Sequence, residues 1–289
     1  MAKKSGLPES AVVVGLPPPW LFGARAEDAK MADEILYEKS TDRIGLITLN
    51  RPQSMNAVDR ALTRQFRDVI RATEADADID VVIITGAGEK AFCVGVDLKE
   101  RQTLSDDEAF AFRMGELFPM YEELEGRQKP SIALVRGHCL GGGFEIALAC
   151  DMILATADAK FGLPEVKWGL IPAGGGCRKL PKLIGAARAK EVILTGRGFD
   201  ALQAERMGVI NRVVSAETAL QEANDLAKAV AGNVQVAVRG AKRSIDQALD
   251  FKRTIPFDLE VSNYCYASKE RKAGISNFVT RKQTEIADK

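Results

Sequence analysis

Residues 130–155 read PSIALVRGHCLGGGFEIALACDMILA. The run at 130–136 has the pattern of a strand, and 152–155 is a short apolar segment of the kind buried in a parallel sheet. Between them, Gly141, Gly142 and Gly143 lead into a helix that opens over 144–149. Strands alternating with helices are the signature of βαβ units around a mostly parallel sheet.

The alternation continues towards the N terminus. Residues 43–50 (RIGLITLN) form a strand pattern that Arg51 and Pro52 close, and 59–74 repeat apolar residues at helical spacing with Asp59 as a candidate N-cap. Residues 80–85 (DVVIIT) are another buried strand, and 105–124 a helix. Beyond about Ile184 the character changes. Segments 186–194, 200–207, 216–231, 234–249 and 256–268 read as helices, with one short strand at 209–214. The first 34 residues stand apart. They begin basic and polar, carry a brief apolar run at 11–16, and meet Pro17, Pro18 and Pro19, which end any helix there. That run is too short to span a bilayer and lacks a cleavage site, so neither a membrane span nor a signal peptide is expected. Met31 is a candidate natural start. The expected organisation is an extension over 1–34, an α/β core over 35–184 and a helical region over 185–289.

Composition narrows the function. The chain has 289 residues, enough for a sizeable core, and 46% hydrophobic with 28% charged residues is an ordinary globular balance. Forty basic side chains offset forty acidic ones, which removes the broad electrostatic argument for a nucleic-acid or membrane partner. Five scattered cysteines without a CxxC pair fit reduced thiols in a cytoplasmic-type compartment, most of them packing as core residues. His138 is the only histidine. A histidine-built metal site is therefore not expected, and a triad would have to use that one ring.

Few motifs survive scrutiny. Gly86, Gly88 and Ala91 formally match a dinucleotide fingerprint, but no well-formed helix opens behind them, and they read as a tight turn. Two other glycine segments say more. In residues 91–99 (AFCVGVDLK), Gly95 permits an unusual backbone angle just before Val96, and the 141–143 triplet precedes a helix start with unpaired amides. Each alone is equally a turn or packing glycine; together they can form a backbone oxyanion hole. Glu145 lies in the first turn of that helix, where an acid either complements the dipole or does chemistry. Glu165 follows FGLP and precedes WGLIP, on a solvated loop or in a pocket that shifts its proton affinity. Two such carboxyls in one pocket can divide general acid and base work. His138 reads as a strand-end residue with a satisfied ring nitrogen. Arg281 and Lys282 behind Phe278 are a solvated basic face or a phosphate contact with aromatic packing.

Asn50, Arg51 and Pro52 with Asn56 and Ala57, then AFCVGVDLKE at 91–100, GHCLGGGFEIALACD at 137–151 and FGLPEVKWGLIPAGGG at 161–176 resemble, in order and spacing, the crotonase (enoyl-CoA hydratase/isomerase) superfamily. The resemblance runs from about Ile35 to the C terminus. It implies an α/β fold, a spiral of ββα units followed by a helical C-terminal trimerisation region, in a homotrimer or homohexamer. It implies an acyl-CoA substrate whose thioester enolate is held by the amides of Val96 and Gly142. Coenzyme A would lie along Asn56, Ala57, Asp97, Leu98 and Lys99, with Phe278 and Lys282 reaching its adenine and 3′-phosphate. Hydratases resemble this chain in having both glutamates, so Glu145 and Glu165 imply reversible syn hydration of a trans-2-enoyl-CoA to a 3-hydroxyacyl-CoA. No metal or redox cofactor is implied, since coenzyme A belongs to the substrate. The alternatives are an isomerase, a dehydratase of a specialised acyl-CoA, and a non-catalytic acyl-CoA-binding or RNA-binding member. Val96 and Ala173 depart from the family's frequent alanine and glycine.

Overall fold

The computed structural model describes residues 33–249. The readings of residues 1–32, of the helix at 256–268, and of Cys265, Phe278 and Lys282 lie outside them. Strands β1 (Ile35–Lys39), β2 (Ile44–Leu49), β3 (Val81–Gly86), β5 (Ser131–Val135), β7 (Met152–Thr156) and β10 (Arg212–Val214) form a large sheet in the order β1-β2-β3-β5-β7-β10. Only β1 runs antiparallel to its neighbour. A small sheet holds β4 (Ala91–Cys93), β6 (His138–Leu140), β8 (Lys160–Gly162) and β9 (Phe199–Asp200) in that order, and β4, β6 and β8 are parallel. The chain thus steps from large to small sheet three times, as β3–β4, β5–β6 and β7–β8, with helix after each step. That is the expected succession of ββα units.

Alternation within the strands explains the layers. In β3, Val82 and Ile84 face the main core while Val81 and Ile83 face a second one, so the strand is apolar throughout. The second core is closed by α9 (Ala219–Ala231), which presents Ala219, Ala223 and Ala227 to the sheet. Helix α1 (Arg60–Ala75) covers the main core through Leu62, Phe66, Val69 and Ile70. Its Asp59 cap accepts the Leu62 amide at 2.8 Å, as the sequence predicts.

The helix expected over 105–124 forms in a modified way. Ser105 and Glu108 make a capping box ahead of α3 (Asp106–Phe112), a π turn occupies Arg113–Leu117, and α4 (Phe118–Glu125) completes it. Pro119 has no amide to offer the Gly115 carbonyl, and Arg67 donates to that oxygen instead at 3.2 Å. A short helix α2 (Leu98–Thr103), capped by Asp97, was not expected behind the 91–97 segment. The remaining helices are α5 (Gly142–Ala149), α6 (Gly176–Ile184), α7 (Ala186–Thr195), α8 (Ala201–Met207) and α10 (Gln235–Leu249). After Ile184 two strands, β9 and β10, rejoin the sheets where the sequence suggests one. Cys93, Cys139 and Cys150 are buried, whereas Cys177 is exposed. Among the described residues no helix is long and apolar enough to cross a membrane.

Candidate active site

The C-terminal ends of β4, β6 and β8 lie side by side because these strands are parallel neighbours. Each is followed by one part of the candidate site: Gly95 and Val96 after β4, the glycine triplet and α5 after β6, Glu165 after β8. Gly95 has φ +93° and Gly141 φ +52°, conformations that favour glycine. The two segments touch. A Cβ at Gly95 would lie 3.0 Å from the Gly142 nitrogen, and one at Gly142 would lie 3.7 Å from the Val96 nitrogen. At Gly143 a Cβ would run into the Cys93 backbone carbonyl.

This packing leaves two amides side by side. Val96 forms a parallel bridge with Val58, in which the Val58 amide bonds Gly95 O at 2.8 Å and the Asp97 amide bonds Val58 O at 2.9 Å. The N–H of Val96 itself therefore points away from Val58. Gly142 is the first residue of α5, where an amide has no intrahelical acceptor. Among the described residues neither N–H has a backbone acceptor.

Two carboxyls border the amides. Glu145 is 5% exposed, and its Oε1 accepts the Gly176 amide at 2.9 Å. Burial pushes its pKa up to about 7; the amides of Gly176, Gly174 and Gly175 pull it down, and the Glu165 charge pushes it up. Glu165 is half-buried at the start of a short 3₁₀ turn, Glu165–Trp168. Its Oε1 sits 3.2 Å from where a Cβ of Gly141 would be, and burial raises its pKa as well. The other oxygen, Oε2, is buried without a hydrogen-bond partner. An unpaired carboxylate oxygen inside a protein is a place for a ligand or water. Sequence spacing alone does not bring Glu145 and Glu165 together; the fold does.

The remaining predicted residues take varied places. Asn56 is fully buried at φ +56°, its amide donating to Ala87 O at 3.0 Å and Ala91 O at 2.8 Å while its Oδ1 accepts the Arg51 amide. Its side chain is spent on shaping the loop. The Ala57 carbonyl accepts from Arg51 at 2.6 Å. Asp97 caps α2 through the Lys99 and Glu100 amides. Burial alone would raise its carboxyl, but the Arg51 guanidinium and those amides hold it below the ordinary range. Leu98 and Lys99 are exposed on the same short helix. Ala173 is exposed, and the amides around Glu145 come from the glycines behind it. His138, the first residue of β6, is exposed, so water can satisfy its ring.

Two residues go unread in the sequence. Arg51, taken there as a strand-closing residue, pairs with Glu34, Asp59 and Asp97 at 3.0–3.2 Å and ties the 56–58 loop to the 95–97 segment. Tyr121, on α4, is buried against Gly142. Arg51 stands in the 50–52 motif without its three ion pairs being readable there, and Tyr121 carries no sequence signal beyond ordinary apolar spacing. Among the described residues no group of three or more His, Cys, Asp or Glu is placed to hold a metal ion.

A family model described as Enoyl-CoA hydratase/isomerase matches residues 39–289. A probable enoyl-CoA hydratase of Rhizobium meliloti is 36% identical over 258 residues, covering 89% of this chain and 99% of its own length. A crotonyl-CoA hydratase of Syntrophomonas wolfei is 33% identical, covering 90% of this chain and all of its own. The crystal structure of an enoyl-CoA hydratase from Bacillus anthracis superimposes with a TM-score of 0.80 at 35% identity, over 86% of this chain and 97% of that one. The fold, the paired amides and these likenesses agree, and the chain belongs to the enoyl-CoA hydratase/isomerase family of the crotonase superfamily.

Proposed function

We propose that the protein adds water reversibly, with syn geometry, to a trans-2-enoyl-CoA and yields a 3-hydroxyacyl-CoA. The observation that carries this reading is the pair of carboxyls with raised proton affinity, Glu145 and Glu165, bordering the adjacent free amides of Val96 and Gly142. Those amides suit a thioester oxygen on which negative charge develops. Water held between the carboxyls bonds through its oxygen to C3, and the C2–C3 π electrons move onto the thioester as an enolate. Glu145 takes the proton that the water releases, and Glu165 delivers one to C2 on the same face. One carboxyl enters ionised and the other protonated; burial raises the proton affinity of both.

Leu98 and Lys99 are proposed to meet coenzyme A, with Asn56, Ala57 and Asp97 shaping the loops beneath it. Phe278 and Lys282 are proposed for its adenine and phosphate. No metal or redox cofactor enters this scheme. A homotrimer or homohexamer in a cytoplasmic, reducing compartment completes the proposal, supported for the compartment by the buried free thiols of Cys93, Cys139 and Cys150.

The test follows loss of enoyl-thioester absorbance with short and medium trans-2-enoyl-CoA, and confirms the hydroxy product by mass. Glu165→Gln should lower turnover by about 10²- to 10⁴-fold while acyl-CoA still binds. Normal turnover in that variant would remove Glu165 from the chemistry. Binding of enoyl-CoA by wild type without loss of absorbance would move the reading to isomerisation or to a specialised acyl-CoA.

A further inference from the structure

Tyr121 is 3% exposed, deep between the two glycine segments that flank Glu145. Its hydroxyl donates to the Gly142 carbonyl at 3.3 Å, and a Cβ at Gly142 would lie 2.5 Å from that hydroxyl. On the other side its ring edge covers Gly174, where a Cβ would lie 2.6 Å from the ring and 2.7 Å from Glu145 Oε2. The ring and the Glu145 carboxylate therefore share one glycine as their floor. Filling this space needs only a phenyl ring. A hydroxyl added there must be desolvated, and among the described residues it recovers that cost only through its bond to the Gly142 carbonyl.

We propose that Tyr121 is a positioning residue that holds the Gly142 peptide and the Gly174 backbone at a fixed separation. The oxyanion amide and Glu145 then address the same bound thioester. The proposal rests on the hydratase reading for its chemistry. The hydroxyl bonds the carbonyl of Gly142, one peptide beyond the plane that carries the Gly142 N–H, and so restrains that N–H through the shared Gly142 Cα. Burial, and then the nearby groups of Glu145, Cys93 and Glu165, push the phenol well above its ordinary pKa, so it remains a donor across the working pH range.

The experiment uses the full chain as wild type, Tyr121→Phe and Tyr121→Leu. Three quantities are read: kcat and KM for a short trans-2-enoyl-CoA, melting temperature, and the infrared carbonyl stretch of a bound saturated acyl-CoA carrying ¹³C at the thioester. Tyr121→Phe should lower kcat about tenfold, the scale of one buried hydrogen bond, with KM little changed. Its carbonyl stretch should move back towards the value in solution, and its melting temperature should stay within about 3 °C of wild type. Tyr121→Leu, which also removes the ring edge from Gly174, should lose more kcat and shift the stretch further. An unchanged kcat and stretch in Tyr121→Phe would overturn the proposal. Activity that falls only in step with melting temperature, with the stretch unmoved, would assign Tyr121 to packing and overturn it too. Absence of hydration by wild type would sink the hydratase reading instead, while the carbonyl stretch of the saturated thioester would still decide the role of Tyr121.

Discussion

Glu145 should cost the folded protein stability above neutral pH. Burial pushes the native carboxyl up to about 7, against an ordinary 4.5. Between those values the native state keeps a proton that the unfolded chain has released, so stability falls as pH rises through the window and is lowest above about 7. Ionising this buried group costs about 3 kcal/mol at pH 8 and almost nothing at pH 4. Glu145→Gln removes the ionisation but keeps an oxygen for the Gly176 amide. It should therefore melt about 6–12 °C higher than wild type at pH 8, and at nearly the same temperature at pH 4. The assay is a set of thermal melts of both proteins from pH 4 to 8, with enoyl-CoA hydration measured alongside and expected to fail in the variant. Melting curves that stay parallel across that range, or a variant less stable at pH 8, would show that Glu145 is not a strained acid and would remove the physical basis of its assignment.

The glycines separate into those the fold requires and those it does not. Gly143→Ala should destabilise by about 3 kcal/mol, because its methyl group meets the Cys93 carbonyl. Gly115→Ala, where nothing lies within 4 Å, should stabilise the helix by about 0.5–1 kcal/mol, and urea unfolding compares the two. Arg51→Met should cost about 3–5 kcal/mol at pH 7, since Glu34, Asp59 and Asp97 are left facing one another without their cation. That deficit should shrink in acid. The Arg51-dependent stability held by Asp97, whose carboxyl lies below its ordinary value, is present above the unfolded pKa and lost as pH falls through the folded one. A deficit unchanged between pH 7 and pH 3 would refute this account.

Where one residue acts on its own neighbours, the sequence was readable. Asp59 before an apolar periodicity, the doubly apolar run at 80–85, and the glycine triplet ahead of Glu145 all formed as local chemistry dictates. The small sheet was not readable: strands of two or three residues are too short for alternation to show, and they exist because adjacent repeats supply partners. The π turn escaped for a related reason. Pro119 in a helical pattern signals a break, but Arg67 on another helix supplies the missing donor. At the site, residue types pointed to paired amides and acids, while the meeting of Glu145 with Glu165 depends on the parallel pairing of β6 with β8. Asn56 shows the opposite limit. Its motif resembles a loop along which coenzyme A lies, but nothing in the sequence tells that its side chain makes three hydrogen bonds, one from the Arg51 amide and two across to Ala87 and Ala91.

The row of strand ends also bears on how the protein matures. The parts that follow β4, β6 and β8 are far apart along the chain, and parallel neighbours can pair only after each intervening crossover has closed. Contacts of such long separation form late in folding. A chain emerging from the ribosome presents Val96 first, Gly142 and Glu145 next and Glu165 last. Until β8 docks, the nascent protein holds the two amides and Glu145 but not the second carboxyl, Glu165. The arrangement of paired amides and paired carboxyls is therefore completed in one step, when β8 pairs with β6.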